Sequence, residues 1–285
     1  MYKGRIFRNW KLRYTSHPVE DSFKIDDRIA TVADGVTRDP TKYLPNTKNT
    51  QGRLIFILDY PKESPAKVAA ETLALNTNIN LREIIAPEEE DIILAYKKVN
   101  GLIREYQERE IPEIDYVMND FPGCVGATAI NLPFHVMYGF ICDSGVALVD
   151  RNGNLKFRTP NEGPDRKAKE IWANPPLNQL SWQDPRARRI VRSVYRNNPM
   201  EPNAYGVFTG EGTAMEYVKT GTEIKDEGDT ILVFTDGVEN AIFQNDGDIS
   251  GKVADKIRSR DFIGLERLCQ KSVRTEGTLV YSVGN

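Results

Sequence analysis

Short apolar runs that end in an acidic residue or a turn recur along this chain, and two of them share one construction. Residues 29–33 form a largely apolar run that delivers Asp34 and then Gly35. Residues 230–235 repeat the pattern and deliver Asp236 and Gly237. Runs of this length suit strands buried on both faces. Further strands are predicted over 5–13, 22–26, 53–59, 123–131, 135–142 and 146–150. Beyond these, strands are expected near 205–209, at 215–219 and over 278–283, with an Asn152-Gly153 hairpin turn after the 146–150 strand.

Helical periodicity occupies separate blocks. Ser64 and Pro65 supply an N-cap and a first-turn proline, followed by Ala66, Ala69, Ala70 and Leu73 on one face. A second helix begins at Pro87 and an acidic turn, Glu88 to Asp91, and carries Ile92, Ala95, Tyr96, Val99 and Ile103 as its stripe. That acidic turn reads as a solvated helix start complementing the dipole rather than as a metal patch. Asp184 and Pro185 cap a helix bearing Arg186, Arg188, Arg189, Arg192 and Arg196. Its arginines read either as a solvated face behind Ile190, Val191 and Val194 or as a surface for acidic or phosphorylated partners. Two more helices follow Asp236, one with Ile249, Val253 and Ile257 and one capped by Asp261. Strands and helix pairs in blocks point to an α+β layered architecture.

Composition narrows the function classes. The 285 residues are 40% hydrophobic and 28% charged, as in ordinary globular proteins. A net charge of -3 gives no bulk reason to expect a nucleic-acid or membrane partner. The basic N-terminus lacks the apolar core of a signal peptide, and no run approaches the roughly 20 residues of a spanning helix. Cys124, Cys142 and Cys269 include no Cys-x-x-Cys pair, which favours a reducing cytoplasm over a disulfide framework. With His17 and His135 the only histidines, any metal site must be built from oxygen ligands.

The candidate chemistry lies in acidic residues at strand ends: Asp21, Asp34, Asp143 and Asp236, with Glu20 and Glu276 near such ends. A single Asp-Gly is ordinarily a turn. Two of them after buried strands could bring carboxylates to one point. Gathered carboxylates repel one another unless cations lie among them. Hard divalent ions such as Mg²⁺ or Mn²⁺ suit that donor set and can activate water for attack on a phosphoryl group.

The order of these segments resembles the metal-dependent, type 2C family of serine/threonine protein phosphatases across nearly the whole chain. The resemblance is carried by Val19-Glu20-Asp21-Ser22, Val32-Ala33-Asp34-Gly35, Gly126-Ala127-Thr128-Ala129, Cys142-Asp143-Ser144 and the late run from Gly228 to Gly237. It implies a four-layer α-β-β-α sandwich of two central antiparallel sheets flanked by helix pairs, one domain over 1–285. A flap-like Pro/Arg-rich segment would span about 157–203. It also implies two Mn²⁺ or Mg²⁺ ions and hydrolysis of phosphoserine or phosphothreonine on proteins by metal-activated water, with no covalent intermediate. By that mapping Asp34 bridges both ions, the Gly35 carbonyl completes one, and Asp236 ligates the other. Glu20 and Asp21 hold metal-associated waters, and Asp143 matches the ligand of a weaker third ion.

Several positions depart from the family pattern. Thr275 stands where a closing aspartate is usual, with Glu276 beside it, so either could serve the ion held by Asp236. Ser16 replaces an early phosphate-holding arginine; Arg13 or Arg8 is the candidate substitute, against the favoured plain reading of a strand-surface arginine, and Asn240 replaces a common late acidic residue. Two functions are therefore expected in competition: an active phosphatase, favoured by retention of Asp34, Gly35 and Asp236, and a weak or inactive member serving as a binding or regulatory module.

Overall fold

The computed structural model describes residues 1–9, 19–36, 64–110, 123–180, 184–244 and 247–283. Two five-stranded antiparallel sheets form its centre. The first contains β1 (Tyr2–Arg8), β12 (Glu276–Ser282), β9 (Thr230–Phe234), β6 (Gly145–Val149) and β7 (Leu155–Arg158), in that order. The second runs β2 (Ser22–Ile25), β3 (Ile29–Val36), β4 (Gly123–Asn131), β5 (His135–Ile141) and β8 (Lys219–Ile224). Central strands β4, β6 and β9 are buried almost throughout, as continuous apolar runs require when both faces are covered.

One apolar cluster fills the space between the sheets, with Ala30, Val32, Ala127 and Phe140 from the second packing with Val146, Leu148, Ile231, Val233 and Val280 from the first. A second cluster joins the outer face of the β3 sheet to α1 (Pro65–Leu81) and α2 (Glu89–Glu110), through Ala69, Leu73, Tyr96 and Val99. A third joins the β9 sheet to α5 (Asp236–Ile242), α6 (Gly251–Arg258) and α7 (Phe262–Ser272), through Val238, Val253, Ile257 and Leu265. Helices, sheet, sheet and helices thus make the four layers expected of an α+β sandwich. Helices α3 (Ala168–Ala173) and α4 (Pro185–Tyr195) belong to the segment between β7 and β8, and α4 packs Ala187, Val191 and Tyr195 into the α1–α2 cluster.

Local expectations hold where the chain itself sets the geometry. Ser64 accepts from the Lys67 amide at 3.1 Å as the N-cap of α1, and Asp184 accepts from the Arg186 amide at 2.9 Å as that of α4. Gly153 takes φ +85° in the β6–β7 hairpin. The first strand begins earlier than expected, at Tyr2, and ends at Arg8, because its partner β12 ends the pairing at Glu276. Among the described residues the segment at 205–209 makes only isolated bridges, Cys124 to Phe208 and Arg196 to Tyr205, and Gly210 at φ +88° turns it away. Residues 212–217 form a 3₁₀ turn, so the strand expected at 215–219 starts only at Lys219. Helix α5 is additional, since Asp236 and Gly237 open a helix rather than a turn. Ile249 pairs with Phe243 in a short ribbon of β10 (Phe243–Gln244) and β11 (Asp248–Ile249) before α6 begins. The strand expected at 53–59 and Arg13 lie outside the described residues.

Candidate metal and phosphate centre

The topology carries acidic residues from both sheets to one end of the sandwich. Asp21 precedes β2 and Asp34 lies near the end of β3, in the second sheet. Asp143 sits in the turn where the chain crosses from β5 to β6, and Asp236 follows β9 as the first residue of α5. Glu276 opens β12. Strand register and helix placement, not proximity in sequence, bring them together.

Exposure is graded across the group. Glu20 and Asp21 are buried, Asp34 and Asp143 half-buried, and Asp236 borders solvent. Burial comes first among the causes that raise the Asp21 carboxyl to about 8, followed by repulsion from Glu276. Burial, then Asp21, Asp236 and Asp143, hold the Asp34 carboxyl well above the usual carboxylate range. Burial and Asp236 raise Asp143 to about 7, with Asp165 adding to the repulsion. Asp236 is raised too, by desolvation first, while a side-chain hydrogen bond with Asp34 acts in the opposite direction. Since Asp236 borders solvent, its shift is the most strongly screened of the four. These mutual repulsions show that Asp21, Asp34, Asp143 and Asp236 form one electrostatic group.

The surrounding hydroxyls and amides hold particular oxygens in place. Thr235 and Thr278 both donate to Asp21 Oδ2, at 2.9 and 2.7 Å. The threonines are tied to each other, because the Thr278 amide donates to Thr235 Oγ1 at 2.8 Å. The Glu20 amide donates to Glu276 Oε1 at 2.8 Å, and Ser64 Oγ donates to Glu20 Oε1. Glu276 is therefore placed beside Glu20 and Asp21. Thr275 contributes its carbonyl to the Asn9 amide.

Two glycines permit the close approach. A Cβ on Gly35 would stand 2.8 Å from the Ala66 carbonyl oxygen and 2.9 Å from the Glu20 Cβ. A Cβ on Gly237 would come within 1.8 Å of the Glu276 carbonyl oxygen, so the first turn of α5 can pack against β12 only with glycine there.

Ser64, Thr235, Thr278 and Asp165 were not singled out for the site by sequence reasoning. A threonine immediately before Asp236 and another two positions after Glu276 are the local signals for the hydroxyl pair. Asp165 has no such signal, because the loop that brings it near Asp143 and Asp236 is fixed by tertiary contacts. Arg8 ends β1, and its carbonyl accepts from Gln270 Nε2 at 2.9 Å.

Among the described residues, no three acidic, histidine or cysteine side chains are already arranged to hold a metal ion. The carboxylates instead engage one another and the threonine hydroxyls. Their chemistry nevertheless fits hard divalent cations: the donors are oxygens, and among the described residues no Lys or Arg ion pair involves Asp21, Asp34, Asp143 or Asp236.

No family model matches the chain, and no curated protein matches it. Solved structures do match in fold. The Mycobacterium tuberculosis serine/threonine phosphatase PstP/Ppp aligns over 100% of this chain and 99% of its own, at 14% identity and a TM-score of 0.62. The catalytic domain of PstP in complex with two manganese ions covers 100% and 98% at 15% identity, with a TM-score of 0.58. The PPM Ser-Thr phosphatase MsPP from Mycobacterium smegmatis, in complex with cacodylate, covers 99% and 97% at 14% identity, with a TM-score of 0.52. Sequences this distant that align end to end share architecture, and this chain has the fold of the PPM-type serine/threonine phosphatases.

Proposed function

We propose that the protein is a metal-dependent phosphatase that hydrolyses phosphoserine and phosphothreonine in proteins. The observation that carries this reading is the mutual repulsion of Asp21, Asp34, Asp143 and Asp236, gathered from two sheets with no lysine or arginine paired to them among the described residues. Such a cluster costs stability and is explained by cations that it is built to hold. The fold neighbour solved with two manganese ions supports the same assignment.

Asp34, the Gly35 carbonyl and Asp236 would hold two Mn²⁺ or Mg²⁺ ions, with Glu20, Asp21 and Glu276 bordering them and Asp143 serving a weaker third. Bound there, the ions would supply Lewis acidity and activated water for in-line displacement at phosphorus. Thr235 and Thr278 fix the Asp21 carboxylate, leaving Oδ1 for the centre. Glu276 is positioned through the Glu20 amide, so a single shift would disturb both carboxylates. Arg13 or Arg8 would bind the substrate phosphate. The chain acts as one catalytic domain over 1–285, with 157–203 as its flap. No described helix is long and apolar enough to cross a membrane, and three buried free cysteines suit a reducing cytoplasm.

A second reading, a binding module of little activity, is favoured by one observation: Thr275 replaces a carboxylate and Glu276 is engaged by the Glu20 amide. Hydrolysis of an aryl phosphate by the purified protein separates the two. Turnover with Mn²⁺ that a chelator abolishes is expected; no turnover from protein shown to bind Mn²⁺ would leave the module reading in its place.

A further inference from the structure

The segment at 157–203 carries nine basic and five acidic residues, a local charge of +4 in a chain of -3, so the remainder stands at -7. Its charge has a direction. Helix α4 buries Ala187, Val191 and Tyr195 and turns Arg186, Arg189 and Arg192 toward its less buried side, three residues apart. Arg186 is largely spent on Asp184, at 2.7 Å. Arg189 keeps a buried Nε–H with no acceptor among the described residues.

The helix also ends beside the acidic centre. At its C-terminus Arg196 hydrogen-bonds Tyr205, and Arg192 and Cys142 are both within electrostatic reach of that tyrosine. Cys142 precedes Asp143 and hydrogen-bonds its carboxylate. The chain then runs through Phe208, which bridges to Cys124, the cross-strand neighbour of Gly35. On the same side the loop bearing Arg166 packs over Cys142, where the Glu162 amide donates to the Cys142 carbonyl at 2.8 Å. A basic rim therefore borders a carboxylate cluster that would by itself repel anions.

Resting on the phosphatase reading, we propose that the arginine face of α4, centred on Arg189 and Arg192 with Arg166 at the near edge, docks acidic residues flanking a phosphorylated serine or threonine. Rim charges of this kind raise encounter rates and select partners by sign more than they add affinity. Their effect is screened by salt.

The test uses fluorescent peptides with aspartate-rich, neutral or lysine-rich flanks around a threonine, unphosphorylated for binding and phosphorylated for turnover. At low ionic strength the acidic peptide is expected to bind about tenfold more tightly than the neutral one, with the gap closing by 0.5 M salt. Arg189→Gln with Arg192→Gln should remove most of that gap, and Arg189→Lys with Arg192→Lys should keep it. The kcat/KM ratio of acidic to neutral phosphopeptide should follow the same order. Equal binding of acidic and neutral peptides, a preference that survives the double glutamine variant, or tighter binding of RNA or anionic vesicles at the same arginines would overturn the proposal. Acidic preference in binding without hydrolysis of any phosphopeptide would overturn the phosphatase reading and leave the docking surface standing.

Discussion

Strands β3 and β9 each serve two environments a few residues apart. In the interior, Ala30 and Val32 of β3 share one apolar cluster with Ile231 and Val233 of β9, all fully buried. Two residues beyond Val32 is Asp34, and three beyond Val233 is Asp236, where burial and neighbouring carboxylates oppose ionisation. The interior is arranged for stability, and every side chain there gains from its neighbours. At the strand ends each carboxylate loses by having the others near. A fold that supports such a cluster draws on the packing of the same strands. Stability and chemistry should therefore respond oppositely to substitution in the two places.

The largest effects come from setting the two regions against each other. Asp34→Asn and Asp236→Asn should each lower Mn²⁺-dependent hydrolysis by roughly a thousandfold or more, through loss of an anionic ligand. The melting temperature of either metal-free variant should stay level or rise, because one repelling charge is gone. Leu148→Ala, within the interlayer cluster, should cost about 2–5 kcal/mol and leave the metal requirement of the remaining folded protein unchanged. Near-normal turnover of either asparagine variant at saturating Mn²⁺ would remove those residues from the centre.

pH separates the regions next. Asp21 and Asp143 have folded values raised to about 8 and about 7, so the native state binds protons more tightly than the unfolded chain. The stability that these two groups contribute is complete below their unfolded values, near 4, and is lost as pH rises through 7 to 8. In metal-free protein the melting temperature should fall by roughly 5 °C or more between pH 5 and pH 8. Asp21→Asn should flatten that fall, and saturating Mn²⁺ should reverse it by stabilising the ionised forms. A pH profile identical in parent and Asp21→Asn would mean that the charge is dispersed elsewhere.

A smaller effect is expected at the boundary between the regions. Glu276 stands at the start of β12, with its Oε1 accepting from the Glu20 amide. Glu276→Gln keeps an amide oxygen for that hydrogen bond and removes the charge. It should raise the Mn²⁺ concentration for half-maximal activity by about tenfold, with Thr275→Ala nearly silent. Calorimetric titration of Mn²⁺ would check it. Unchanged affinity in Glu276→Gln, together with a gain in Thr275→Asp, would transfer the role to position 275.

What was legible in the sequence follows the same division. Buried strands announce themselves as apolar runs, so β4, β9 and β12 could be placed within a residue or two, while β3 runs three residues past its apolar run, through Asp34 and Gly35 to Val36. Ser64 was legible as a helix cap, but its second role, donating to Glu20, depends on α1 docking beside the buried acidic turn. The hydroxyl pair of Thr235 and Thr278 was hidden because it arises from pairing of β9 with β12, over forty positions apart. Helix α5 was hidden for a different reason: Asp-Gly is a turn signal, and only packing of Gly237 against Glu276 and Gly277 converts it into a helix start.

The smallest effect expected is also the most sharply signed. Cys142 joins the acidic centre to the outer α1–α2 cluster: its side chain is buried in that cluster, and its thiol hydrogen-bonds the Asp143 carboxylate. Its backbone lies at φ +68°, a left-handed conformation that costs a non-glycine residue roughly 1–2 kcal/mol. Elsewhere in strands and helices alanine is more stable than glycine by roughly 0.5–1 kcal/mol, because glycine loses more backbone freedom on folding. At this position the order should invert. Cys142→Ala loses the thiol and keeps the backbone cost, while Cys142→Gly loses slightly more buried volume and relieves that cost. Cys142→Gly should therefore melt above Cys142→Ala, by a margin of about 1 kcal/mol in denaturant unfolding. Both variants should weaken the hold on Asp143 equally, so their Mn²⁺ requirements should match. An alanine variant more stable than the glycine one would show that the turn between β5 and β6 relaxes out of the left-handed region once the thiol is gone.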